Sequence, residues 1–395
     1  MLEIVDLFRE KSTVDELGAG VIRDAFADHF FPGTSTLQTQ ARYFLFIPWI
    51  YLRLEHERVP SAQVDRRARQ EQARLVKALV AGGEREGVIG IDAGAQILRP
   101  PSILYWAGLR TLGILRYPGS YEAYIGSLDQ HHRLDRTLLR SDDGELLEES
   151  PHAWHGGLPP APPDFLETTT HELSRDEADY LRERIVTARR DSLFAALVSS
   201  PADISRLSGP WEHPERDDLH PQLREDLAEA ERFSLVSNGA YLLYNLMMAE
   251  AAVAAGMTAR ERQLEEYRSR LPQWADSVTA HGSLLRGWHI DRLWELMARL
   301  NQRIPLRTRH FFDRWAEFAL HQRDGLAENQ AARQLIRERE RALKGGLARL
   351  HNSRALENWG GASSIGRLDF RWGNVSRHLL DIQAGLRRRP VDSDA

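Results

Sequence analysis

The chain has 395 residues, long enough to bury a core without a disulfide or metal staple, and its length is a prior for two or three domains. Hydrophobic residues at 42% and charged residues at 28% exclude a disordered chain, and 28 glycines and 18 prolines without a fixed period exclude a fibrous one. The cysteine count is zero, which removes disulfide scaffolds, cysteine nucleophiles and thiolate metal centres together.

The first ten residues carry Glu3, Asp6 and Glu10 where a signal peptide needs a basic start and an apolar run. The longest apolar stretch, residues 43–54, is broken by Pro48 and Arg53 and is too short to cross a bilayer. A soluble cytoplasmic protein without a membrane role is expected. The net charge of -5 conceals a gradient. Residues 1–140 hold 18 basic and 17 acidic side chains, residues 141–232 hold 9 and 22, and residues 286–391 hold 21 and 11. Nearly all cations are arginine, whose planar fork suits phosphate and carboxylate. A basic block beside an acidic one speaks about partners rather than about fold.

In chain order, Val21, Ile22, Ala25, Phe26, His29 and Phe30 recur with helical spacing, and Pro32-Gly33 stops that helix. Thr34, Ser35 and Thr36 offer N-cap hydroxyls for a second helix through Leu37, Phe44 and Leu52, kinked at Pro48. Residues 64–80 read as a third helix ending at Gly82-Gly83, 88–91 as a short strand, 102–112 as a helix capped by Ser102, and 114–117 as a strand. That order of helix, helix and strand gives the N-terminal region a winged-helix flavour, although Ile103, Leu104, Tyr105, Trp106 and Leu109 make the second helix look buried rather than base-reading. Residues 141–170, acidic and rich in proline, read as a linker or exposed loop. Beyond them helices are expected over 174–198, opened by the capping box Ser174-Arg-Asp-Glu177, then over 223–233, 240–255, 259–271, 291–300, 309–321, 329–350 and 374–386. The expected architecture is mainly α: a mixed, mostly helical domain over 1–140, the linker over 141–170, and a helical domain over 171–391 with a basic C-terminal part.

Motifs for chemistry are sparse. His131-His132-Arg-Leu-Asp135 and His152-Ala-Trp-His155 lack the His-Glu-x-x-His arrangement, so neither is assigned a metal. No Gly-x-Ser-x-Gly and no phosphate-binding Gly-x4-Gly-Lys occurs, and no cofactor is expected. Arg333, Arg337, Arg341 and Lys344 fall on one helical stripe. Arg367, Arg371 and Arg377 follow, with Trp359, Phe370 and Trp372 interleaved, a pattern suited to phosphates and unstacked bases. The competing reading pairs these cations with acids of the same chain. Thr34, Ser35 and Thr36 ahead of Arg42 form a candidate anion site at a helix start.

Several blocks also carry a resemblance: residues 16–28, residues 31–51 (Phe31-Pro-Gly-Thr-Ser-Thr-Leu-Gln-Thr-Gln to Tyr51), residues 99–109, residues 239–250, Phe370-Arg-Trp-Gly-Asn-Val375, and Asp381-Ile-Gln-Ala-Gly-Leu386. On these the chain resembles domain-of-unknown-function family 6361, a bacterial family with no assigned activity. The resemblance implies an accessory protein of prokaryotic genome-defence neighbourhoods, beside helicases, methylases or nucleases. The sequence therefore leads to an expected non-catalytic subunit of an anti-phage or DNA-handling assembly that binds DNA, RNA or a protein partner. A protein-only scaffold is the alternative, and a metal-free hydrolase built from scattered His, Asp and Glu is the third.

Overall fold

The computed structural model describes residues 16–92, 99–138 and 153–389. Among these the chain is mainly α-helical and has no strand. Residues 88–91 do not form a strand, because Gly87 before them and Gly90 among them take positive φ and bend the backbone out of an extended path. Residues 114–117 pair through a single antiparallel bridge, Leu115 with Trp154, instead of a strand.

Two compact units interleave along the sequence. One combines Met1–Ala27 with His220–Phe370, the other Asp28–Leu219 with Arg371–Ala395. This differs from the sequential division expected, because the last helix packs with elements of the N-terminal half. Helix α1 (Gly20–Phe30) carries the chain from the first unit into the second.

The first unit is organised on α8 (Pro221–Ala254). Its 34 residues span about 50 Å at 1.5 Å per residue. Two helices were expected here, yet one continuous helix forms. The polar residues between them are used by packing rather than by a break. Ser234 Oγ donates to the Leu368 carbonyl (2.8 Å), Asn238 Nδ2 to that of Ile365 (3.1 Å) and Asn245 Nδ2 to that of Ser363 (2.7 Å). Gly239 leaves room for the Trp274 ring, which a Cβ would strike. Around α8 stand α9 (Glu261–Ala280), α10 (Gly282–Leu285), α11 (Asp291–Arg299), α12 (Leu306–His321), α13 (Gln330–Lys344) and α14 (Ser353–Glu357). The helix expected over 329–350 is capped by Asn329 as its spacing suggests, but it ends at Lys344, where Gly345 turns to φ +54°.

In the second unit α2 (Tyr43–His56) is buried from Tyr43 through Tyr51, apolar on every side, and contains Pro48. It is followed by α3 (Ser61–Ala81), α4 (Pro101–Thr111) and α5 (Tyr121–Leu138). Pro101, not Ser102, opens α4, and the Ser102 N–H donates to Gln72 Oε1 (2.8 Å). Residues 141–152 of the expected linker, His152 included, lie outside the described residues. Residues 153–170 are packed: Trp49 Nε1 donates to the Pro159 carbonyl (2.7 Å) and the Thr169 N–H to that of Ala78 (3.1 Å). The capping box forms, with Glu177 N–H on Ser174 Oγ (3.2 Å) and Ser174 N–H on Glu177 Oε2 (2.8 Å), and starts α6 (Arg175–Ala188). The single helix expected over 174–198 divides, because Ser192 caps a separate α7 (Leu193–Val198). The last helix, α15 (Trp372–Leu386), packs on α6 and α7.

Helix α15 places two titratable groups one turn apart. His378 has no exposed surface, both its ring nitrogens lack hydrogen bonds, and burial beside Arg377 lowers it to about 4. Asp381 accepts the Ala41 N–H (2.8 Å), and burial pushes it up to about 6. Folded His378 binds fewer protons than unfolded histidine between pH 4 and 6.5, so its contribution rises with pH there. Folded Asp381 binds more protons than unfolded aspartate between pH 4 and 6, so its contribution falls over nearly the same window. The two effects oppose each other. Asp381→Asn should therefore make urea stability climb by about 2 kcal/mol more than wild type from pH 4.5 to 6, and His378→Leu should make it decline by a similar amount. Parallel pH profiles for wild type and both variants would contradict this.

Candidate partner-binding surface

Helix α13 buries Ala332, Ile336, Arg339 and Glu340 on one face, so two charged residues stand where the helical period calls for apolar ones. Each is satisfied by a specific set of partners in the first unit. Arg339 Nε donates to the Leu17 carbonyl (2.8 Å) and Nη2 to Thr308 Oγ1 (2.7 Å), with the guanidinium over the Phe311 ring. Gly18 must be glycine, since its φ is +87° and a Cβ would enter that guanidinium. The Glu340 carboxylate accepts from Tyr244 Oη (2.5 Å), Arg349 N–H (2.7 Å) and Leu350 N–H (3.0 Å). Burial and the Glu340 charge push the Tyr244 hydroxyl well above its usual range, which keeps it a donor. Glu16, also buried, accepts from Arg349 Nη1 (2.8 Å) and from Lys344 Nζ.

These partners determine what happens to the seven cations singled out in the sequence. Arg333 is 12% exposed, ion-paired to Glu250 and bonded to the Ala327 carbonyl (2.7 Å). Lys344 is equally covered and held by Glu16. Arg367 Nη2 donates to the Glu231 carbonyl (3.3 Å). In the second unit Arg371 donates to Asp28 (2.5 Å) and to the Thr34 carbonyl (2.9 Å). Arg337 is half-buried, Arg341 and Arg377 are exposed, and none of the three makes an ion pair among the described residues. Trp359, Phe370 and Trp372 are all buried, so no base can stack on them.

The hydroxyl cluster stands apart from any helix start, because α2 begins at Tyr43. Thr34 Oγ1 donates to the Phe31 carbonyl (2.7 Å), Ser35 Oγ accepts the Leu37 N–H (3.4 Å), and the Thr36 carbonyl accepts from Asn374. Arg42 is buried and committed: it donates to Glu177 Oε1 (2.8 Å) and the Thr170 carbonyl (2.8 Å), and lies against Phe46 and Trp49. Among the described residues no group of three or more His, Asp or Glu is placed to hold a metal ion.

Beside their exposed charges, α12, α13 and the turn after α13 expose three leucines. Leu306 is 70% exposed, Leu347 74% and Leu343 43%. The Arg339–Thr308 bond fixes their neighbourhood: Leu343 is one turn beyond Arg339, Leu347 lies in the turn after α13, and Leu306 opens α12 two residues before Thr308. Arg303, Arg307 and Arg341 are exposed in the same stretches. Sequence reasoning missed this end of the helix pair because it followed the charge stripe. Leu343 and Leu347 continue the spacing of Ile336 and Arg339, so the sequence alone reads them as core, and their exposure is set by tertiary packing at the end of α13.

The profile of a family of unknown function, DUF6361, matches residues 2–385. No curated protein and no solved structure matches the chain.

Replacing Glu340 by glutamine keeps the shape but leaves an amide nitrogen facing backbone N–H groups that need an acceptor. Urea denaturation should show a loss of about 2–4 kcal/mol. Arg341→Glu on the open side should change stability by no more than about 0.5 kcal/mol. An E340Q midpoint equal to wild type would contradict the role assigned to the carboxylate.

Proposed function

The chain belongs to DUF6361, a family of unknown function, and we propose from its geometry that it is a non-catalytic, protein-binding subunit. The observation that carries this reading is the exposure of Leu306 at the start of α12 and of Leu343 and Leu347 at the end of α13 and in the turn after it, with exposed Arg303, Arg307 and Arg341 close to them in sequence. Exposed leucines at one end of a helix pair are a docking feature, since burying each stabilises a complex by about 1.5–3 kcal/mol. The arginine border selects the occupant: an amphipathic helix with apolar residues flanked by glutamate or aspartate. A second copy of the chain is disfavoured, because a two-fold contact on this surface would set arginines against arginines. Four of the seven cations expected to meet nucleic acid are engaged within the chain, which supports the protein-only reading over nucleic-acid binding. We propose further that this subunit serves a prokaryotic genome-defence or DNA-handling assembly, in which helicase, methylase or nuclease partners would supply the chemistry.

A synthetic helical peptide with a leucine stripe flanked by glutamates tests the surface. Wild type should bind it with an affinity that falls as salt rises, and L306D/L347D should weaken binding at least tenfold. An unaltered affinity in L306D/L347D, or equal binding of an arginine-flanked peptide, would overturn the proposal.

A further inference from the structure

In the first unit, toward the opposite end of α12 from Leu306, a cavity of about 590 Å³ lies between two walls. One wall is a face of α12, where Asp313, Ala316, Glu317 and Leu320 stand side by side at the spacing i, i+3, i+4 and i+7. The other runs from Val278, near the end of α9, through α10 to Trp288. Val278, Leu285, Trp288 and Ala316 are buried, so the floor is apolar. Trp288 is held in place by its Nε1, which donates to Glu229 Oε1 (2.8 Å). Gly282 and Gly287 also line the cavity, and a Cβ at either would meet open space, so the backbone there leaves it accessible.

Two charges in the lining are fixed by neutral partners. Arg323, two residues past α12 and half-buried, donates from Nε to Thr279 Oγ1 (2.9 Å) and from Nη1 to the Leu320 carbonyl (2.8 Å). Asp313, also half-buried, accepts from Trp294 Nε1 on Oδ1 (2.7 Å). Neither makes an ion pair among the described residues, and Arg323 Nη2 and Asp313 Oδ2 keep unused hydrogen-bonding capacity. A charge set partly out of water without a counter-ion attracts an opposite charge more strongly than one fully solvated. The other charged residues of the lining, Arg286, Asp291 and Glu317, are exposed, and Glu317 lies 3.6 Å from Arg314. His289 and His321 are exposed as well. Because the Arg323 guanidinium is anchored at the Leu320 carbonyl, it stands about 10 Å from Asp313 along the axis of α12.

We propose that this cavity binds a small linear zwitterion, with its carboxylate on Arg323, its ammonium on Asp313 and an apolar body over Val278, Ala316 and Trp288. The opposite signs at the two ends select against a diacid, which would meet Asp313, and against a diamine, which would meet Arg323. The span of about 10 Å is that of an extended tripeptide, at about 3.4 Å per residue. A free amino acid carries both charges on one carbon and cannot reach both ends. The cavity volume falls within the range of small-molecule sites, and its apolar floor with a few fixed polar groups has their usual composition.

The test is calorimetric titration of the full chain with trialanine and, separately, with 8-aminooctanoate, which has a similar span without peptide groups. The expected result is saturable binding of at least one of them. Acetylating the amine or amidating the carboxylate of that ligand should each weaken binding at least tenfold. Asp313→Asn keeps an acceptor for Trp294 and should erase the preference for the free amine while retaining that for the free carboxylate. Arg323→Gln should do the reverse. Tighter binding of trialanine assigns a peptide, and tighter binding of 8-aminooctanoate assigns a plain apolar chain. L306D/L347D should bind these ligands as wild type does, which separates this site from the leucine surface. If neither ligand binds, or if the capped forms bind as the free ones do, Arg323 only caps the carboxyl end of α12 and the proposal is overturned.

Discussion

A carboxylate without exposed surface must collect donors from the protein, and in the first unit Glu340 does so from Tyr244 and from the backbone of Arg349 and Leu350. That single requirement orders much of its surroundings. It keeps Tyr244 protonated, it places residues 349 and 350 against the end of α13, and the Arg349 side chain then reaches Glu16. Arg339, adjacent in sequence, ties the same helix to α12 and to residue 17. With its inner face fixed at these points, α13 has Leu343, and the turn after it Leu347, facing solvent.

The same pairing logic reinterprets the charge gradient. A surplus of basic residues over 286–391 is real as a count, but counts do not identify partners. Glu250, Glu16 and Asp28 engage Arg333, Lys344 and Arg371, whereas Arg292, Arg299 and Arg388 of the same block pair with Glu225, Asp226 and Glu172 of the acidic 141–232 segment. Arginine serves these roles well, because its fork can satisfy a carboxylate and a carbonyl at once, as Arg333 does with Glu250 and Ala327.

Much of the helical skeleton was legible in the sequence, because its signals are local. Apolar period and a following Pro-Gly delimit α1, Ser174 and Glu177 announce α6, and Asn329 marks the start of α13. Helix α5 was not expected: among the residues whose burial is described, only Tyr124 and Leu128 are buried, and Glu122, Gly126, Ser127 and Asp129 between and beside them blur the apolar period. The start of α2 was misplaced because Thr34, Ser35 and Thr36 resemble caps, while their hydrogen bonds serve a turn. The site was less legible than the skeleton. Whether an arginine faces water or a distant carboxylate depends on contacts hundreds of residues apart, as between Lys344 and Glu16 or Arg371 and Asp28. Spacing along one helix cannot encode such contacts.

The central claim is that the C-terminal cations are spent on the protein's own structure and that its binding surface is apolar. Its most direct measurement is retention of a DNA duplex as a function of salt, where the slope of log affinity against log salt counts phosphates neutralised. The account predicts weak retention with a slope no steeper than about -3, the share left to Arg337, Arg341 and Arg377. A slope near -6, as all seven cations engaging phosphates would give, would contradict it.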